Sequence, residues 1–342
     1  MKNYIAFGKE GSKQANEQSN MTVLGIDLGG TKLASALFAE DGLLILKETV
    51  PLGIRTGTEV GKLLTDRIRI FFEEAERRGL EIDSIGVSVP GISIIKTGRV
   101  WAPNIKGWTD YPLMAEIRET AGNIPVIIDS DRACYILGEV WMGNAKGCKD
   151  AVFLAVGTGI GAGILVNGEV LRGSSDIAGA VGWMALNRPF QNEYTECGCF
   201  EFHASGEGIA KVTREFLLKD ESYSGELRNK NINCINAFDL FSAYENGDPL
   251  ASEVIENCIG FWGMAAANIV SFFNPEKIIF GGGVFGPARK LIPAIKKEAE
   301  RWAQPISIKQ VTFDEAGLAG DAGVYGAGYL ALKNLQKTDI AK

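Results

Sequence analysis

Two stretches of the chain share one rhythm of apolar and polar residues. Thr22 to Ile26 is an apolar run that ends in Asp27-Leu28-Gly29-Gly30-Thr31-Lys32, and a second apolar run then stops at Asp41-Gly42. About 130 residues on, Ala151 to Val156 ends in Gly157-Thr158-Gly159-Ile160-Gly161-Ala162-Gly163, and the next run stops at Asn167-Gly168. Short apolar runs bounded by glycines read as strands, and Asp-Gly and Asn-Gly are strong hairpin signals. Each stretch therefore predicts strand, glycine turn, strand, tight turn, strand.

Elsewhere the apolar period lengthens. Val60, Leu63, Leu64, Ile68, Phe71, Phe72 and Ala75 keep helical spacing over 58–78, and Gly79 stops them. Ser84 to Val89 predicts a strand broken by Pro90-Gly91. A loop with Pro103-Asn104 and Gly107-Trp108 follows, then a helix capped by Thr109 or Asp110 and ending near Gly122. Ile124 to Ile128 predicts a buried strand leading through Asp129-Ser130-Asp131 into a helix with Ile136, Leu137, Val140 and Trp141. Beyond a polar stretch at 172–200 the chain is largely helical until the strand Lys277 to Phe280, which runs into Gly281-Gly282-Gly283. Helices are predicted over 287–302 and 319–335. The last has Ala319, Gly320, Ala322, Gly323, Gly326, Ala327 and Gly328 in its first half, which suits close approach of another backbone or of a nucleotide, or plain core. Alternating strands and helices indicate an α/β fold.

The glycine loops suit polyphosphate. Glycine lets the backbone approach, and consecutive N–H groups form an anion nest. Thr31 and Thr158 add hydroxyl donors. Lys32 adds a positive charge or is a solvated turn residue. Asp27, at a strand end, could hold Mg²⁺ through water. Each loop alone could be an ordinary hairpin turn; the pair suggests two jaws around one nucleotide. Gly157 to Ala162 fits a loose dinucleotide motif, but that motif must open a helix, and a hairpin follows here. No P-loop pattern occurs.

At 342 residues and net charge −7, the chain suits two domains and lacks the basic surplus that nucleic acid would require. No apolar stretch is long enough to span a membrane. Residues 1–20 read as a polar leader without the apolar core of a signal peptide, and the six scattered cysteines show no disulfide framework, so a cytoplasmic protein is expected. A single histidine, His203, argues against a serine or cysteine triad.

The pattern resembles the ROK family of repressors, open reading frames and sugar kinases, within the actin-like, hexokinase-like superfamily. The resemblance runs from about Val23 to Leu332. It rests on Gly25 to Lys32, Val89-Pro90-Gly91, Pro103-Asn104 with Gly107-Trp108, Asp129-Ser130-Asp131 with Leu137-Gly138-Glu139, Gly157 to Gly161, Gly198-Cys199-Phe200-Glu201 with Ala204-Ser205-Gly206, and Gly281 to Val284. It implies a two-lobed, ribonuclease H-like fold with a duplicated core: 21–131 plus 319–342 as the smaller lobe and 132–318 as the larger. It also implies phosphoryl transfer from Mg·ATP to a sugar hydroxyl between the lobes, in a homodimer. Gly29, Gly30, Thr31, Lys32, Gly157, Thr158 and Gly159 would cradle the phosphates, and Gly281, Gly282 and Gly283 would border the adenosine. Asp131 matches the catalytic base; its other reading is a helix N-cap, a role that Asp129 or Ser130 could fill instead. Gly91, Asn104, Ser130, Asp131, Trp183 and Glu201 fall at acceptor positions. Asn104 could instead order its own loop, and Glu201 could be a first-turn helix residue.

The chain departs from the family on the acceptor side. The usual Ala-Gly-Glu-x-Gly-His reads Ala178-Gly179-Ala180-Val181-Gly182-Trp183, and Ser130 replaces the usual Asn. Only Cys197, Cys199 and His203 remain of a zinc motif that needs four ligands, so no zinc is expected. These losses predict an acceptor other than plain glucose, a modified sugar or cyclitol. They also leave open a non-catalytic sugar-binding or regulatory protein, against which the short leader speaks: repressors of this family carry a helix-turn-helix there. An actin-like ATPase without a small acceptor is a further reading, against which the Pro103-Asn104 and Gly198 to Glu201 segments speak.

Overall fold

The computed structural model describes residues 21–340; the expected leader at 1–20 lies outside the described residues. The chain opens with β1 (Thr22–Leu28), β2 (Lys32–Ala39) and β3 (Leu44–Pro51), an antiparallel meander. Helix α1 (Thr58–Arg77) leads to β4 (Ser84–Val89), which runs parallel to β1. A small hairpin, β5 (Ile92–Ile94) and β6 (Arg99–Trp101), precedes α2 (Leu113–Ala121) and β7 (Val126–Ser130), parallel to β4. The first sheet has the order β3-β2-β1-β4-β7.

After α3 (Asp131–Met142) the plan repeats. β8 (Ala151–Val156), β9 (Ile160–Val166) and β10 (Glu169–Val170) form a second meander. A helical stretch follows: α4 (Tyr194–Cys197), α5 (Cys199–Ala204), α6 (Gly206–Lys219), α7 (Ala237–Glu245) and α8 (Pro249–Phe273). β11 (Lys277–Gly281), α9 (Ile292–Ala299) and β12 (Thr312–Glu315) complete a sheet of order β10-β9-β8-β11-β12, and α10 (Ala322–Ile340) comes after it. Each sheet thus has two antiparallel strands on one side and two parallel strands on the other. The duplication expected from the two glycine units is the architecture.

Small residues join the halves. A Cβ on Gly25 of β1 would stand 2.6 Å from the Val324 carbonyl, and one on Gly86 of β4 1.9 Å from that of Ala327. A Cβ on Gly326 of α10 would stand 1.7 Å from the Cys134 carbonyl of α3. Glycines of β1 and β4 and Gly326 of the last helix therefore let α10 meet β1, β4 and α3 backbone to backbone. Glu139, fully buried on α3, accepts from the backbone N–H groups of Asn144, Gly317 and Leu318 and so fixes the approach to α10.

Four boundaries differ from expectation. Neither Thr109 nor Asp110 caps α2; Asp110 pairs with Arg99 at 2.6 Å, and the helix starts only after Pro112. β7 lies two residues later than predicted, because pairing with Ser88 and Val89 carries it through Asp129 and Ser130. Pro293, which has no N–H to donate, sits in the first turn of α9, so the residues from Ala288 to Leu291 form a 3₁₀ turn rather than the start of that helix. The last α-helix starts at Ala322, after a 3₁₀ turn at Ala319–Asp321. The strands β5, β6 and β12 have no counterpart in the expected elements.

Candidate active site

Asp131 opens α3 where β7 ends. Ser130 is the N-cap: its side chain accepts from the Ala133 N–H at 3.3 Å, which leaves the Asp131 carboxylate out of the capping role. Asp131 Oδ1 accepts from the Arg132 N–H at 2.8 Å. Tyr135, one helical turn on, sets its hydroxyl against the same carboxylate. Burial pushes the Asp131 carboxyl up to about 6; the Arg132 charge opposes this and the Asp27 charge adds to it.

Asp27 faces this group from β1. Ser88 donates to its Oδ1 at 2.6 Å, and its carboxylate lies against Gly323 in the first turn of α10, where a Cβ would come within 2.4 Å of Oδ2. Burial raises the Asp27 carboxyl, with the Ser88 hydrogen bond and the Lys32 charge opposing. The Gly29 N–H bonds the Lys32 carbonyl at 2.9 Å, closing the first glycine loop, and the Gly157 N–H bonds that of Gly159 at 2.9 Å, closing the second. Gly30, Thr31 and Lys32 are exposed, and Asn104 lies beside Gly30, 3.7 Å from where its Cβ would be.

A cavity of about 270 Å³ opens next to the second loop. Gly157, Thr158 and Gly283 line it, with Glu207 from the first turn of α6 and Asn236 and Phe238 from the start of α7. Gly157 and Gly283 meet nothing within 4 Å of an added Cβ, so their faces are open. Gly281 and Gly282 have other duties. A Cβ on Gly281 would collide with the Phe153 ring at 2.2 Å, and Gly282 turns the chain at φ 90 against the Val156 backbone. Of the three glycines placed at the adenosine, only Gly283 lines the cavity. Asn236 with Asp239 forms a capping box, the kind of spacing by which sequence could have placed a helix N-terminus here.

On the acceptor side the expected residues have separate protein partners. The Gly91 carbonyl accepts from Arg132 Nη2 at 3.3 Å. Glu201, in the first turn of α5, accepts from the Ile160 N–H at 2.6 Å through Oε2, bracing the second glycine loop; burial raises its carboxyl. Gly182 packs against Glu201, while Trp183 beside it is 56% exposed. His203 is in an aromatic nest, bonded to the Tyr194 hydroxyl at 2.7 Å and stacked on Phe261 at 4.4 Å between centroids. Among the described residues no three His, Cys, Asp or Glu side chains converge as a metal cage.

A family model for the ROK family matches residues 23–334. The chain belongs to the ROK family. Among its relatives, glucokinase of Halalkalibacterium halodurans is 32% identical over 320 residues, 91% of this chain and 95% of that protein. The xylose repressor of Caldicellulosiruptor bescii is 32% identical over 265 residues, 76% of this chain and 65% of that protein. The crystal structure of a ROK hexokinase from Thermus thermophilus superposes with a TM-score of 0.76 at 28% identity, over 93% of this chain and 100% of that one. The fold is thus the actin-like one, and the two matching sheets of this ROK chain are its two halves. No described helix is long and apolar enough to cross a membrane.

Proposed function

We propose that this chain transfers the terminal phosphoryl group of ATP to a hydroxyl of a sugar or cyclitol, with Asp131 as the base. The chain is an ATP-dependent carbohydrate kinase of its family, a reading that the glucokinase and hexokinase relatives support. The observation that carries the site assignment is the placement of Asp131. It stands at the carboxyl end of a parallel strand, where α/β folds put ligands, recessed, with Ser130 taking the cap. A sugar hydroxyl is a weak nucleophile, and a carboxylate near pKa 6 is a fitting acceptor for its proton at neutral pH.

The nucleotide base and ribose would occupy the cavity at Gly283 and Phe238, and the phosphates would lie along Gly157 to Gly159 and Gly29 to Lys32 between a smaller lobe (21–131 with 319–342) and a larger one (132–318). The open faces of Gly157 and Gly283 fit such a ligand. Mg²⁺ keeps most of its waters and takes one or two carboxylates plus phosphate oxygens, so Asp27 suits it without a protein cage. The ion would neutralise phosphate charge; the protein's own part is to hold Asp131 and the acceptor in line.

Asn104 beside Gly30, Gly91 and the free Oε1 of Glu201 remain the acceptor contacts of choice. Ala180 and the exposed indole of Trp183 offer an apolar face where the family presents hydrogen-bonding groups, and losing such groups relaxes or redirects selectivity. The acceptor is therefore a sugar or cyclitol with an apolar substituent or a missing hydroxyl. Sugar-dependent ADP release across a panel tests both points. Asp131→Asn should lower it by about 100- to 10,000-fold. Selective, efficient phosphorylation of glucose would overturn the acceptor reading, and unchanged activity of the variant would remove Asp131 as the base.

A further inference from the structure

Arg132 is a half-buried cation that takes part in no ion pair among the described residues. Its geometry is unusual for a residue in the first turn of a helix. The aliphatic stem lies flat on β9 of the second sheet: a Cβ on Gly161 would come within 2.6 Å of its Cδ, and one on Gly163 within 2.0 Å of its carbonyl. The guanidinium then reaches the loop after β4 of the first sheet and donates to the Gly91 carbonyl. Its own N–H is the donor to Asp131 Oδ1. One residue thus touches both sheets and the carboxylate between them.

We propose that Arg132 is a positioning residue: it clamps the Gly91 loop to β9 and thereby fixes the orientation of Asp131 toward the acceptor. This rests on the kinase reading given above. Gly161 of β9 makes room for the stem, and Gly163 for the backbone of the same helical turn. An arginine with its fork on a backbone carbonyl is also set in position in a way that a flexible, solvated lysine is not. The charge has a second effect. Asp131 is faced by Arg132 and Tyr135 from α3 and by Asp27 from β1; Lys32 and Asp321 act in turn on Asp27, and Asp129 of β7 is paired with Arg172. Arg132 is the cation next to the carboxylate, and it keeps the base ionised against burial and the Asp27 charge.

Arg132→Met keeps a stem that can lie on Gly161 and removes the fork and the charge. Measured with the acceptor the wild type uses best, kcat should fall about 10- to 100-fold, as for a small misplacement of a catalytic group, with KM for ATP unchanged. The acid limb of the kcat/KM profile for the acceptor should move to higher pH. Arg132→Lys should restore the position of that limb and only part of kcat, because the charge returns without the contact to Gly91. A melting curve for each variant separates misfolding from misplacement. If wild type turns over and Arg132→Met keeps kcat and the same pH limb, the clamp is overturned and the kinase reading stands. Equal loss in Arg132→Met and Arg132→Lys with no shift of the limb overturns it as well. No turnover by wild type with any sugar overturns both readings.

Discussion

At the scale of the residue, Asp131 makes two pH-dependent demands. As a base it must be ionised, so kcat/KM should climb with pH through about 6, the value to which burial pushes its carboxyl. The same shift acts on stability. The folded value lies above the ordinary 3.8, so protonation favours the folded state, and that advantage is present below about pH 4 and lost as pH rises through about 6. Asp131→Asn should therefore melt higher than wild type at pH 8, and its margin should shrink as pH falls from 6 to 4. Melting curves across that range check the sign. Sequence placed Asp131 at the start of a helix and Asn104 in a loop, as the structure has them, because both stand in short motifs tied to strand ends. Glu201 was legible as a carboxylate at a helix start but not as a brace on the Ile160 N–H, since that contact joins segments 41 residues apart. Arg132 and Tyr135 were missed for a related reason: what marks them is their place around Asp131, and no local spacing announces it.

At the scale of the element, helical glycines separate cleanly by what surrounds them. Gly326→Ala drives a methyl group into the Cys134 carbonyl and should cost about 1–3 kcal/mol, the usual range for overpacking. Gly260, within α8, meets nothing within 4 Å of an added Cβ, and Gly260→Ala should gain about 0.5–1 kcal/mol from helix propensity alone. Denaturant titrations of the pair would show opposite signs from chemically identical changes. Most elements were readable because they carry long apolar patterns. β12 was not: of Thr312 to Glu315 only Phe313 is buried, and pairing with β11 rather than an apolar run makes it a strand. β5 and β6 are three residues each, too short to show a period. α2 eluded its boundary because a bend at Thr109 and Asp110, under the stacked rings of Trp108 and Tyr111, and the bridge from Tyr111 to Val100 occupy both expected caps.

At the scale of the whole molecule, the nucleotide assignment turns on one open face. Gly283→Val places a branched side chain where no protein atom lies within 4 Å, so the fold should tolerate it while the cavity does not. KM for ATP should rise about tenfold or more, on the scale of one or two misplaced methyl groups in a pocket, with the melting temperature of the free protein little changed. In wild type, ATP at 100 times its dissociation constant should add about 2.7 kcal/mol of stability, and a variant with tenfold weaker affinity should keep only about half of that gain at the same concentration. The duplicated plan of the two sheets was legible from the two glycine units alone. Their shared seam was not, because it is made where small residues let distant backbones meet.

That seam limits how the molecule can open. α3 and α10 touch backbone to backbone at Gly138 against Ala322 and at Gly326 against Cys134, and Glu139 ties the end of one to the approach of the other. Between those contacts Trp141 of α3 packs on Tyr325 and Tyr329 of α10, and Cys134 and Leu137 meet Ala327 and Leu330, so the two helices are keyed together as one piece. Were the two proposed lobes to part for a substrate, this keyed pair is where they would turn, and Asp131, at the start of α3, would travel little.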